Sequence, residues 1–196
     1  MGGAERRARH KEALRQRILD AARDVFVREG YESVSMRKIA AQIDYSPTTI
    51  YLHFKDKADL LDSLCEEIFQ RIAQEFEPIA AQQLDPIQRL RTWLRAYVEF
   101  GLKHPDDYRV AFLIQRRGYL SEHSSGGRIY RSLRSTVEEC MAHGQLRPDR
   151  PDVASQCLWA AVHGITSLLV IHPEFPWADR AQLIELAIDS TLRGLQ

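Results

Sequence analysis

Residues 34–61 read Val34-Ser-Met-Arg-Lys-Ile-Ala-Ala-Gln-Ile-Asp-Tyr-Ser-Pro-Thr-Thr-Ile-Tyr-Leu-His-Phe-Lys-Asp-Lys-Ala-Asp-Leu-Leu61. Ser35 is placed to cap a short helix from Met36 to about Gln42, with Ile39, Ala40 and Ile43 turned inward at helical spacing. Asp44 and Tyr45 make a turn. Ser46 caps a second short helix with Pro47 at its first position, where a missing N–H costs nothing. Ile50 and Phe54 complete the inward face, so residues 35–54 outline a helix-turn-helix. A helix that enters a major groove needs a slim, polar outer face, and Thr48, Thr49, Tyr51 and His53 supply one. Lys55 and Lys57 follow for phosphates, while Ser35 and Arg37 sit where a helix N-terminus meets a phosphate or a base edge.

On either side the chain also reads as helix. Leu14, Ile18, Ala22, Val25 and Phe26 stripe a helix from about Lys11 to Glu29, which Gly30 ends. Asp56 caps a long helix from Lys57 to about Glu77, with Pro78 just beyond it. Further helices open at Asp85-Pro86, at His104-Pro105 and near Arg128, and two more run over about 152–171 and 179–195. The expectation is an all-α protein of about nine helices. A DNA-binding head with a basic N-terminal arm covers 1–57, and a helical regulatory domain covers 58–196.

Net charge is zero, but residues 1–57 carry twelve Lys/Arg against eight Asp/Glu, and the remainder is correspondingly acidic. The arm residues Arg6, Arg7, Arg9 and Lys11 either reach a minor groove or remain solvated. The charged N-terminus lacks the apolar core of a signal peptide, and the richest apolar run, 158–171, is interrupted by His163, Gly164, Thr166 and Ser167. A cytoplasmic protein with no membrane association is therefore expected. Cys65, Cys140 and Cys157 lack metal-ligand spacing and read as buried structural thiols. No nucleophile elbow, phosphate loop or zinc motif is present, so neither an enzyme, a metal site nor a cofactor is expected.

The stretch quoted above closely resembles the DNA-binding head of tetracycline-repressor (TetR) family regulators, and Ile18 to Tyr31 resembles that family's first helix. The resemblance implies a homodimer whose recognition helices enter successive major grooves of a near-palindromic double-stranded operator. By matching position it implies that Thr48, Thr49, Leu52 and His53 face bases. Tyr51 and Lys57 would hold phosphates, and Arg37 would touch a base edge or a phosphate. Many members have Gly where this chain has Asp44, and Asp tolerates the left-handed region better than most residues.

Leu158 to Leu169 resembles the Trp-x-x-x-His-Gly segment of one C-terminal domain type in this family, which implies dimerisation through the last two helices. The near-continuous apolar character of 153–171 agrees, and Ala160, Ala161 and Gly164 would admit a close partner. Trp93, Tyr97, Phe112, Trp159 and His163 are candidate lining of an apolar effector site, with Arg109 and Gln115 as further polar handles. An aromatic stripe also reads as core, and His163 equally as a satisfied core or interface histidine. With no charged cluster in view, the effector is expected to be neutral or aromatic. The implied function is a repressor released from its operator by a small molecule; the alternatives are an effector-independent or architectural DNA-binding protein, or an all-helical enzyme.

Overall fold

The computed structural model describes residues 2–114, 123–147 and 150–196. Every regular element among them is helical. They are α1 (Gly3–Glu29), α2 (Met36–Gln42), α3 (Pro47–Tyr51), α4 (Lys57–Ala80), α5 (Pro86–Lys103), α6 (Pro105–Tyr108), α7 (Ser125–Ala142), α8 (Pro151–Ile171) and α9 (Arg180–Leu195). A π-helical turn, Arg109–Leu113, follows α6 directly. The described residues form two compact units. The first holds those up to Ile68 with 109–114; the second holds 69–108 and those from 123 onward.

In the first unit, the head, the apolar stripe of α1 (Ile18, Leu19, Ala22, Val25, Phe26) is fully buried, as are Ile39 of α2 and Ile50 of α3. Caps fix where the short helices begin: the Ser35 hydroxyl accepts from the Lys38 N–H at 3.3 Å and the Ser46 hydroxyl from the Thr49 N–H at 3.2 Å. Asp44 turns the chain between α2 and α3 at φ 59°, the one non-glycine residue with positive φ among the described residues. The turn is thus built in the left-handed region that Asp accepts at modest cost.

In the second unit, the body, α5 packs on α7, α8 and α9, and α8 packs on α7 and α9. A Cβ at Gly101 would overlap the Thr166 methyl, so the absence of a side chain there sets how closely α5 approaches α8. Ion pairs join α5 to α9, Arg91 with Asp189 and Arg95 with Glu185.

Several sequence expectations shift. The basic arm is not extended: α1 begins at Gly3, and the Glu5 carboxylate accepts from the Gly2 N–H at 3.1 Å. Ala4 to Arg9 are good helix formers, and Glu5 in the first turn suits the helix dipole. Pro78 lies inside α4 rather than beyond it, with the buried Ile79 anchoring the final turn. α7 begins at Ser125, three residues before the expected start, because the Ser124 hydroxyl caps it through the Gly127 N–H at 3.0 Å. Cys65 and Cys140 are buried, but Cys157 is exposed on the outer stripe of α8. By length and composition alone α8 does reach the span of a membrane helix. Its inner face, from Ala154 through Leu158 and Val162 to Leu169, is nonetheless buried in the body.

Candidate nucleic-acid interface and body cleft

Between its caps the head exposes a narrow face. Thr48 is exposed, Tyr51 is 54% and Leu52 74% exposed, while Ile50 beneath them is fully buried. α3 itself ends at Tyr51, so Leu52, its C-cap, and His53 lie in the turn that follows. The Thr49 hydroxyl lies 2.9 Å from that of Ser46, which fixes its rotamer beside the cap. Ser35 and Arg37 are exposed at the front of α2, and Arg37 makes no ion pair among the described residues. The candidate residues Ser35, Arg37, Thr48, Tyr51 and Leu52 are therefore exposed on two short helices that begin at serine caps and are joined by one turn.

The lysines divide. Lys55 is exposed, and its backbone N–H donates to the Asp59 carboxylate at 2.8 Å. Asp59 in turn donates its own N–H to Asp56 at 2.8 Å, so Asp56 caps α4 as its sequence suggests. Lys57 is already engaged: its ammonium donates to the Tyr31 carbonyl at 2.8 Å and lies 4.2 Å from the Tyr31 ring centroid. It holds the turn after α1 while keeping further N–H donors.

Sequence reasoning did not foresee where the arm sits. Because α1 is helical to its start, Arg6, Arg7, His10, Lys11 and Leu14 line a groove of about 430 Å³ whose other wall is His53. Partial burial holds the His53 imidazole below its usual pKa, and the charges of Lys11 and Arg15 add to the effect. Arg15 lies 5.1 Å from the Phe54 ring centroid, and Arg17 5.4 Å from that of Tyr45 while also donating to the Ile43 carbonyl. Arg6, Arg7 and Lys11, three cationic side chains on one stretch of α1, would have revealed this groove had the helix been started earlier.

The body candidates separate into a buried polar cluster and an open cleft. In the cluster, Tyr97 Oη lies 2.9 Å and Tyr108 Oη 2.8 Å from His163 Nδ1. The Trp159 indole donates to Tyr97 Oη at 3.3 Å, and Ser167 Oγ lies 3.1 Å from Tyr108 Oη. Desolvation lowers the His163 pKa, and burial pushes the Tyr108 phenol up to about 12, so both groups stay neutral. His163 is therefore a hydrogen-bonded hub joining α5, α6 and α8. Phe112 lies on the π-helical turn that belongs to the head unit. Arg109 shares that turn, and Gln115 lies outside the described residues.

The cleft, about 460 Å³, lies between the end of α4, α5 and the start of α7. Trp93 and Phe76 supply its apolar floor, Ile129 and Ala73 add to its walls, and Gln70, Gln74, Glu77, Arg128 and Ser132 its polar edge. Of the five aromatic and histidine candidates only Trp93 lines it. Its indole stacks on Tyr97 with centroids 6.1 Å apart and meets Phe76 edge-on at 5.0 Å.

Comparison with known proteins bears on both halves. Residues 18–64 match the family described as bacterial regulatory proteins, tetR family, and residues 90–191 match the tetracyclin repressor-like C-terminal domain. The HTH-type transcriptional repressor KstR of Mycobacterium tuberculosis is 38% identical over 76 residues, 39% of this chain and 34% of that protein. An HTH-type transcriptional regulator of Staphylococcus aureus is 44% identical over 57 residues, 29% of each chain. These curated relatives are thus matched over only about a third of their length. Among solved structures, FadR of Bacillus subtilis in complex with stearoyl-CoA superposes with a TM-score of 0.77 at 21% identity, covering 92% of this chain and 99% of that one. The ketosteroid transcriptional regulator KstR2 of Mycobacterium tuberculosis gives 0.69 at 18%, covering 93% and 94%. At such identities they establish the shared fold. With the C-terminal family match alone spanning half of the sequence, the chain belongs to the TetR family of bacterial regulatory proteins.

Proposed function

We propose that this chain is a homodimeric, cytoplasmic transcriptional repressor that leaves a near-palindromic operator when a small molecule occupies its body. The observation that carries the reading is the exposed face of Thr48, Tyr51 and Leu52 on a serine-capped helix, with Arg37, Lys55 and the cationic groove of α1 in the same unit. Thr48, Thr49, Leu52 and His53 read bases; Ser35, Tyr51, Lys55 and Lys57 hold phosphates; Arg37 contacts whichever of the two it meets at the front of α2. Residues 1–57 act as the DNA-binding head and 58–196 as the regulatory and dimerisation domain.

The outer stripe of α8 runs Val153, Cys157, Ala160, Gly164, Leu168, Ile171, spaced by three and four residues. Leu168 is 48% and Ile171 47% exposed, and nothing lies within 4 Å of a Cβ placed at Gly164. A second copy offering the same stripe, with Leu186 of α9 at 59% exposure beside it, covers this apolar surface by two-fold symmetry. Dimerisation is part of the DNA mechanism, because so short a reading face needs two half-sites for specificity. The body cleft serves as the effector site, and the solved complex of FadR with stearoyl-CoA is a precedent for ligand binding on this fold.

Fluorescence anisotropy with operator DNA tests the reading. Arg37→Ala and Tyr51→Ala each weaken binding by about tenfold or more while leaving the melting temperature in place. Unchanged affinity for both variants contradicts the proposal.

A further inference from the structure

The groove of about 430 Å³ in the head is walled by two elements: Arg6, Arg7, His10, Lys11 and Leu14 of α1, and His53 in the turn after α3. Arg6, Arg7 and Lys11 are exposed, and none of them makes an ion pair among the described residues. Their charge reaches across the groove: burial first, and then Lys11 and Arg15, hold the His53 imidazole below its usual pKa, with Glu12 opposing them. Cations gathered along a groove create a positive potential that an anion seated there relieves.

Two features point to the anion. His53 directly follows Leu52, the C-cap of α3, so the groove opens beside the end of the reading helix. The arm is also helical rather than extended. A helix with its side chains is about 10–12 Å across, against about 6 Å for a minor groove. It is therefore too wide to lie in a minor groove, and α3 fills the major groove of its half-site. The sugar-phosphate backbone is what remains for it to meet. Resting on the reading of the head as a DNA-binding unit, we propose that this groove cradles successive backbone phosphates of the duplex, gripped by Arg6, Arg7 and Lys11, and adds affinity without base preference. From position 6 to position 14 the helix rises about 12 Å, enough to follow about three phosphates of one strand. His53 closes the cradle and joins this grip to the residues that read bases.

The test compares the full chain with an Arg6→Gln/Arg7→Gln/Lys11→Gln variant and with Arg9→Gln, which lies on the same helix outside the groove. Gln keeps the helix propensity of these exposed positions, and circular dichroism establishes that each variant is folded. The probes are an operator duplex selected from a random pool, a shuffled duplex of equal length, and inorganic phosphate. The triple variant is expected to bind both duplexes about tenfold or more weakly at low salt, with the ratio between them unchanged. Its slope of log affinity against log salt should fall by about three per chain, while Arg9→Gln leaves the slope in place. Unchanged affinity and slope in the triple variant, a loss confined to the operator duplex, or an equal loss per charge in Arg9→Gln overturns the proposal. Inorganic phosphate that binds through these three residues while duplex affinity is indifferent to them also overturns it, and makes the groove a small-anion site. Equal binding of both duplexes by the unmodified chain, weakened in the triple variant, supports the cradle and contradicts the sequence-specific reading. Binding to neither duplex overturns both.

Discussion

The head and the body organise their polar groups in opposite ways. In α2 and α3 every buried residue is apolar (Met36, Ile39, Ala40, Ile50), and the polar side chains go to caps or to the exposed face. In the body, two tyrosines, a histidine, a tryptophan and a serine form a partly buried network, and the ring of Trp93, whose indole N–H is buried without a partner among the described residues, lines an open cleft. A surface that reads DNA needs rigid support and free side chains above it. A site that responds to a molecule needs groups whose partners can change. The first demand is met by local rules of capping and periodicity, the second only by tertiary assembly.

The largest expected effect breaks the head alone. Phe54→Ala removes a ring that is 2% exposed beneath Arg15 and should destabilise the head by about 3–5 kcal/mol. Hydrogen exchange is the suitable readout: amides of α1 to α3 lose protection while those of α5 and α8 keep it. Uniform loss across both units would mean that the contrast between them has no energetic counterpart.

In the body, Tyr108→Phe deletes the hydroxyl shared by His163 and Ser167 and should cost about 1–3 kcal/mol by chemical denaturation. The same cluster gives a pH signature. His163 is held neutral, with its pKa below the ordinary 6.5, so an unfolded chain takes up a proton that the folded one refuses. Stability is complete above about pH 6.5 and declines as pH falls below it towards the lowered value. A His163→Gln variant should flatten that decline; an unchanged slope would remove His163 from the account.

Lys57→Ala sharpens the boundary between support and contact. Losing its bond to the Tyr31 carbonyl should cost about 1 kcal/mol of stability. Losing a phosphate contact should lower the salt slope of operator binding by about one. A change in stability alone would make Lys57 a structural residue. The smallest effect is expected at the turn: Asp44→Gly relieves the φ of 59° and should stabilise the head by up to about 1 kcal/mol, read as a rise in melting temperature.

These predictions follow the line between what the sequence makes legible and what it does not. The serine caps at 35 and 46, the inward residues of α2 and α3 and the left-handed Asp44 depend on neighbours within a few positions, and all can be read directly. The start of α1 was obscured because its charged first turns bury nothing, so no apolar periodicity marks them. Pro78 and the turn at 109–113 break local rules for tertiary reasons, since Ile79 and Val110 are buried there. Trp93, Tyr97, Trp159 and His163 could be named as aromatic or polar body residues. Their division into a cleft wall and a closed network depends on how α5, α6 and α8 meet, which spacing along one helix does not specify. Cys157 falls on the exposed side of α8 because that helix is apolar on both faces and only one of them is used within the chain.

The central claim is that the head reads duplex DNA as one half of a two-fold pair. Selection of bound duplexes from a random pool, followed by mass measurement of the selected complex, tests it most directly. The account predicts an enriched near-palindrome with half-sites about 10 base pairs apart, centre to centre, or a multiple of that spacing, bound by paired chains. Enrichment of a single asymmetric half-site by one chain, or no enrichment at all, would contradict it.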